Sequence, residues 1–233
     1  EGKNFDVKIF EAKVDTLAIQ GPKSFQLMED VFGKKIKDLK FFNIDYFEFR
    51  KKRFLLSRSG FSKQGGYEIH TDNVEAAQDL YDHFFKIGKT YNLKPGAPNH
   101  PERIEGGLLS YGNDMSIDDN PFECGFDKYI NLDTSVFFLG KESLKKIKEE
   151  GIKKKLMGVK IDTNSIALTE IIGIKDLTGH KIGELRSAAY SPKFEKLVGI
   201  AMVEKDFCNT QQKFKIEING KSILGEICNL PIK

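Results

Sequence analysis

"KIGELRSAAYSPKFEKLVGIAMVEK", residues 181–205, decides the class of the C-terminal part of the chain. It holds two short apolar-rich runs, "KIGELRSAAY" and "KLVGIAMVEK", with Ser191-Pro192 turning the chain between them. Runs of this length, bounded by turn residues, read as strands. The same texture starts at Leu156 and continues through "LMGVKI", "IIGIKDL", "KFKIEI" and "SILGEICNL". Thr178-Gly179 and the hairpin signal Asn219-Gly220 supply turns. Short strands at this regular spacing predict a small antiparallel barrel or sandwich. A domain boundary is therefore expected near residue 150, giving 1–150 and 151–233.

Upstream the pattern is mixed. "FDVKIF", "VDTLAIQG", "NIDYFEFR", "RFLLSRSG" and "GGYEIHTD" read as strands. "GPKSFQLMEDVFG" reads as a helix, with Pro22 at its start, Phe25, Met28, Val31 and Phe32 on one face and Gly33 as its stop. A second helix is expected from Asp72 to Gly88, with Asp72 and Glu75 as a capping box and an apolar face of Val74, Ala77, Leu80, Tyr81, Phe84 and Ile87. "ERIEGGLLSYGND" is expected to start as a helix and end at Gly112, and "ESLKKIKEEG" to be a helix stopped by Gly151. The fold class is α+β: helices on one side of a mixed or antiparallel sheet, followed by the C-terminal β module.

The 233 residues carry 37 basic and 34 acidic side chains, so no polyanion-binding signal stands out. The lysine-rich "LKKIKEEGIKKK" is broken by Glu149 and Glu150 and reads as a solvated helix face rather than a nucleic-acid interface. No apolar run reaches the roughly 18 residues of a membrane span. Nothing at the start resembles a signal peptide. Cys124, Cys208 and Cys228 are widely spaced and the four histidines scattered, which argues against disulfides and metal and for a cytoplasmic location.

Arginine is scarce. Five occur, Arg50, Arg53, Arg58, Arg103 and Arg186, against 32 lysines. In such a chain an arginine marks a place where a planar fork of fixed donors is useful. Arg50 and Arg53 fall in a charged hairpin, whereas Arg58, Arg103 and Arg186 are candidate clamps. In "SGFSKQGGYEIH", residues 59–70, Gly65-Gly66 lets a ligand or another backbone approach closely. Pleating then places Glu68 and His70 on one face and Tyr67 and Ile69 on the other. A carboxylate accepts two adjacent N–H donors well. On spacing alone a solvated Glu68 and an ordinary helix end around Arg103 are the favoured readings, and an inter-strand ion pair at Arg186 stays open.

Taken together, "AIQGPKS", "SRSGFSKQGGYEIH", "ERIEGGLLSYGND", "LDTSVFFLGKESL", "GELRSAAYSPKFEKLVGIAMV" and "NLPIK" stand in the order and spacing of the glycine-cleavage T-protein (aminomethyltransferase) superfamily, which the chain resembles. "SKQGGYE", "DNPFECGFDKY" and "ELRSAAYSP" look like its dimethylsulfoniopropionate demethylase branch. The resemblance implies a multidomain cloverleaf arrangement and tetrahydrofolate as methyl acceptor. It also implies a small-molecule methyl donor, with no nucleic-acid or membrane partner. The expected products are methylmercaptopropionate and 5-methyltetrahydrofolate. It further implies that Glu68 receives the pterin ring and that Arg103 belongs to the folate site. Tyr67, Phe61, His70, Arg58 and Tyr111 are the further binding candidates, and Asn113 and Asp114 lie near the central channel by analogy. The catalytic residues stay unassigned, and no metal is implied. The alternatives are glycine-cleavage aminomethyl transfer, with a lipoyl carrier protein as partner, and a non-catalytic folate-binding homologue. Demethylases of this branch carry Trp at the position of Phe61 and Tyr at that of His70. The N-terminal third of the family pattern is expected to be missing from this chain.

Overall fold

The computed structural model describes residues 5–165, 171–218 and 220–233. The chain divides between Pro98 and Asn99 into two units. In the first, β1 (Asp15–Gln20), β2 (Ile44–Phe49), β3 (Lys52–Ser57) and β4 (Gly66–Thr71) form a sheet in the order β1-β4-β3-β2. Every pairing in it is antiparallel. α1 (Ser24–Phe32) and α2 (Val74–Ile87) cover one face, where Leu27, Met28, Leu80 and Phe84 pack with Phe54 and Ile69. Gly33 ends α1 at φ +78°, a conformation open to glycine.

Two expectations change here. "FDVKIF" is not a strand: Phe5–Phe10 pair with nothing among the described residues, and Phe5, Val7, Ile9 and Phe10 are exposed. Alternation alone does not make a strand when no neighbour takes its backbone groups. The cap of α2 is Asn73 rather than Asp72, because Asn73 Oδ1 accepts the Ala76 amide at 2.8 Å. Val74 and Tyr81 accordingly stand in solvent, while Ala76, Ala77, Leu80 and Phe84 are buried.

The second unit is a closed barrel of six strands: β5 (Lys154–Ile161), β6 (Ile172–Lys175), β7 (Lys181–Ser191), β8 (Lys196–Glu204), β9 (Lys213–Ile218) and β10 (Lys221–Cys228). They close in the order β10-β5-β8-β7-β6-β9. All six strands expected from sequence form. β9 and β10 pair Ile218 with Lys221 as a hairpin does, although Asn219 itself lies outside the described residues. Between its charged ends, Lys196 and Glu204, β8 is apolar because both its faces are covered. Leu197, Ala201 and Val203 join the interior cluster, whereas Val198, Ile200 and Met202 pack outside against Ile104, Leu156 and Ile232.

α3 (His100–Glu105) is shorter than its sequence pattern predicts. Gly106 ends it, Gly107 turns to φ +64°, and the Leu108 amide closes on the Arg103 carbonyl at 2.9 Å. No helix continues to Gly112. α4 (Lys141–Glu150) stops at Gly151 as expected.

A β-bulge in β7 organises this unit. Leu185 pairs with Ala201 and Ser187 with Ile200, leaving Arg186 as an extra residue. A bulge sends two consecutive side chains to one side. Arg186 thus meets the segment that follows α3, and Ser187 meets Arg103 of α3 itself. Arg186 donates to Asp119 Oδ2 (2.5 Å), Asp119 Oδ1 (3.3 Å), the Asp114 carbonyl (3.0 Å) and Glu184 (2.8 Å). Lys154 from β5 adds a bond to Asp119 Oδ1 at 2.7 Å, and the Ser116 amide one to Oδ2 at 2.9 Å. Gly199 faces the bulge, where a Cβ would sit 2.7 Å from the Ser187 carbonyl oxygen. These ties explain why the unit holding the barrel begins at Asn99, well before the change of texture near residue 150.

The Asp119 side chain is fully buried. Burial alone would raise its pKa, but the hydrogen bonds from Arg186, Lys154 and the Ser116 amide, with the charge of Arg186, hold it well below the usual carboxylate range. Between the ordinary value of about 3.9 and that lower one, the unfolded chain binds the proton and the folded chain does not, so stability rises with pH there. The contribution is full above the unfolded value and fades as pH falls towards the folded one. Asp119→Asn should lose about 3 kcal/mol at neutral pH, the scale of a broken buried pair. Urea titrations at several acidic pH values should then show a shallower decline for the variant than for wild type.

Candidate functional site

The first candidate site is the uncovered face of the N-terminal sheet. Along β4 the pleat turns Tyr67 and Ile69 into the core and leaves Glu68 and His70 half-buried on the opposite face. Tyr67, 1% exposed, meets Phe25 edge-on with ring centroids 5.7 Å apart, so it is a core residue and not a neighbour of Glu68. Burial pushes its hydroxyl pKa up, against the lowering charge of Arg58. The Gly65-Gly66 pair serves backbone approach: the Gly21 amide bonds the Gly65 carbonyl at 3.0 Å, and a Cβ on Gly66 would sit 2.3 Å from the Ile19 carbonyl oxygen.

Across the sheet Glu68 pairs with Ala18 on β1 and Ser57 on β3, both too small to shield its carboxylate. A hydroxyl chain supports it from one side. Ser59 Oγ donates to Glu68 Oε2, which uses its only hydrogen, so it accepts from Ser57 Oγ at 2.7 Å. Ser57 has then spent its hydrogen as well and accepts from His70 Nε2 at a longer 3.4 Å, while His70 Nδ1 shares a hydrogen bond with Thr16 Oγ1 at 3.0 Å. This order of donors makes His70 Nε2 the N–H donor towards Ser57. Gln20 steadies the loop above, donating to the carbonyls of Ser59 (3.1 Å) and Tyr67 (3.3 Å) and accepting from Ser62 Oγ (2.7 Å). Glu68 Oε1 has no partner among the described residues.

The structure brings Glu68 and His70, both expected from sequence, onto one face and sets beside them Thr16, Ser57, Ser59 and Gln20, which the sequence did not single out. The alternation Ser57-Arg58-Ser59 was a signal for a polar face, but serine is too common in loops for that signal to single out a site. The other candidates scatter. Phe61 is 38% exposed on the loop before β4. Arg58 donates to the Leu39 carbonyl (3.1 Å) and lies over the Phe25 ring (5.0 Å), which makes it a brace. Tyr111, in the second unit, is 68% exposed in a turn that bridges to Met115.

Arg103 also belongs to the second unit, and its guanidinium is spent on protein groups. It is 3% exposed and donates to Asp114 Oδ2 (2.7 Å), the Leu108 carbonyl (3.1 Å), Ser187 Oγ (3.0 Å) and His100 Nδ1 (3.2 Å). His100 must stay unprotonated at Nδ1 to accept, and burial first, then the Arg103 charge, push its pKa down. Asp114 is wholly buried, with Oδ2 also taking the Ser110 amide at 2.7 Å. The fork implied for a folate site acts here as a clamp between α3, the following turn and the bulge of β7. Arg103→Lys keeps the charge but can replace few of the four bonds, so it should cost about 3 kcal/mol. Chemical denaturation followed by a probe in the barrel should show that loss.

Three comparisons bear on this geometry. Residues 2–134 match the model of the GCVT N-terminal domain, and residues 154–232 that of the glycine cleavage T-protein C-terminal barrel domain. The dimethylsulfoniopropionate demethylase DmdA of Ruegeria pomeroyi is 36% identical over 87% of this chain and 55% of its own length. The aminomethyltransferase of Thermoanaerobacter pseudethanolicus is 31% identical over 91% of this chain and 57% of its own. The chain thus spans a little over half the length of these relatives. The crystal structure of glycine cleavage system aminomethyltransferase T from Bartonella henselae shares the fold, with a TM-score of 0.82 at 22% identity over 94% of this chain and 60% of that one. A sheet unit followed by a closed six-stranded barrel, matched by both family models, places the chain in the glycine cleavage T-protein family.

Proposed function

We propose that this chain acts in tetrahydrofolate-dependent methyl transfer, with dimethylsulfoniopropionate as methyl donor and Glu68 as the residue that holds the pterin. One observation carries the reading: a half-buried carboxylate with one oxygen fixed by Ser59 and the other without a partner among the described residues. The 2-amino-4-oxo-pterin edge presents a ring N–H and an exocyclic amine side by side, which a carboxylate takes as two charge-assisted hydrogen bonds. Ala18 and Ser57 leave room beside Glu68 for a flat ring. The hydroxyl chain to His70 fixes the carboxylate before any ligand arrives, which lowers the ordering cost of binding.

Tetrahydrofolate would supply a nucleophilic nitrogen, N5, and a sulfonium already carries a good leaving group. Strong general acid catalysis is then unnecessary, and the protein's part is to align the methyl carbon with N5 and to keep the pterin edge on Glu68. The 36% identical demethylase supports this donor. The aminomethyltransferase relatives support a second reading, in which the one-carbon unit comes from a lipoyl carrier protein. Incubating the protein with tetrahydrofolate and each donor separates the two. Formation of 5-methyltetrahydrofolate from dimethylsulfoniopropionate is the expected result, and turnover of the aminomethylated carrier alone would overturn the choice of donor.

Glu68→Gln keeps the shape but turns an NH2 group towards a donor. The loss of the charge-assisted pair should cost about 2 to 4 kcal/mol, or roughly 30- to 1000-fold in tetrahydrofolate affinity. Calorimetry with Glu75→Gln on α2 as a control checks this. Equal binding by wild type and both variants would return Glu68 to the status of a solvated sheet residue.

A further inference from the structure

The sheet face that carries Glu68 also carries an arginine that no protein group uses. Of the five arginines, Arg50 donates to Asp79, Arg58 to the Leu39 carbonyl, Arg103 to Asp114 and Arg186 to Asp119. Arg53, exposed on β3, has no hydrogen-bond or ion-pair partner among the described residues. Glu48 stands directly opposite it on β2, yet the guanidinium lies over the Tyr46 ring instead, 4.2 Å from its centroid. A ring beneath the guanidinium carbon holds the group in place without consuming any of its N–H donors.

Strand register sets this pair beside the candidate pterin site. Glu68 pairs with Ser57 and Ser57 with Ile44; two residues along the same face, His70 pairs with Leu55 and Leu55 with Tyr46. Tyr46 therefore stands two strands across and two residues along from Glu68, about 12 Å away by ordinary sheet spacings. Leu55 lies half-buried between them, while Ile44 and Tyr46 are 55% and 50% exposed. An apolar path thus crosses the sheet from a carboxylate with one open oxygen to a cation with unspent donors.

We propose that Tyr46 and Arg53 receive the p-aminobenzoyl-glutamate tail of the folate, the benzoyl ring on Leu55 and Tyr46 and a tail carboxylate on the Arg53 fork. The inference rests on the pterin reading of Glu68 and places the end of the ligand that the reading leaves open. The tail holds the negative charges of tetrahydrofolate, at the far end from the pterin edge that Glu68 takes. A guanidinium can meet a carboxylate with two parallel hydrogen bonds and an ammonium cannot, which gives a use to an arginine beside Lys51 and Lys52.

Calorimetric titration of the whole chain with tetrahydrofolate, and in parallel with a tetrahydropterin that lacks the tail, tests the proposal. Wild type is expected to bind tetrahydrofolate more tightly than the tail-less pterin. Arg53→Gln should weaken tetrahydrofolate roughly tenfold, the low end for a charge-assisted contact at an exposed site, and leave the tail-less pterin unchanged. Arg53→Lys keeps the charge but loses the fork, so it should recover only part of that loss. Glu68→Gln should weaken both ligands, which lets the two readings fail separately. Unchanged tetrahydrofolate affinity in Arg53→Gln would overturn the tail assignment and leave the pterin one standing. Equal weakening of both ligands in Arg53→Gln would overturn it too, because a brace of the hairpin acts without regard to the tail. A wild type that binds no tetrahydrofolate would overturn both.

Discussion

A pleated strand sends neighbouring side chains to opposite faces, and both units of this protein depend on where that rule is kept and where it is broken. In β4 it is kept, so Tyr67 completes the core while Glu68, the next residue, faces outward among hydroxyl groups. In β7 a single extra residue breaks it, so Arg186 and Ser187 act on the same side. The outcome in one unit is a carboxylate set on a rigid floor. In the other it is a long irregular segment fastened to a barrel that does not need it for closure.

The buried charges divide accordingly. The side chains of Arg103, Arg186, Asp114 and Asp119 are all at most a tenth exposed, and each has at least two hydrogen bonds. Such groups are expensive to take from water, and the expense is offset only when nearly every donor and acceptor is met. Arg103, Arg186 and Asp119 are met by protein groups and act as structure. Asp114 has both of its hydrogen bonds on Oδ2, and its Oδ1 is buried without a partner among the described residues. Glu68 differs: it is half-buried, anchored through one oxygen and open at the other. An anchored carboxylate whose open oxygen can be reached is prepared for a ligand. That accessibility, which the wholly buried Asp114 lacks, separates the candidate site from the clamps.

Much of the architecture was legible in the order of residues. The six barrel strands are short apolar runs cut by turn residues, and α1, α2 and α4 carry apolar positions at helical spacing or a glycine stop. The failures have physical causes. "FDVKIF" alternates well, but no strand among the described residues takes its backbone groups. "ERIEGGLLSYGND" holds helix-forming residues, yet Gly106 and Gly107 end the helix after six residues. The boundary expected near residue 150 agrees with family models that cover 2–134 and 154–232. The compact units divide between Pro98 and Asn99 because Arg103 with Ser187 and Asp119 with Arg186 tie the intervening segment to the barrel.

By itself the sequence determined the strand and helix periods, the opposite faces of Tyr67 and Glu68, and membership of the T-protein family, because these rest on local spacing or on motifs in register. Only the tertiary structure decided that Arg103 is a clamp and that Ser57, Ser59 and Thr16 stand behind Glu68 and His70. It also decided that β8 is apolar on both faces because α3 and the C-terminal segment cover the barrel there. A hydrogen bond between residues more than eighty positions apart, such as Arg103 to Ser187, leaves no period in the sequence. It exists only once strand register and a bulge have brought the two side chains within 3.0 Å.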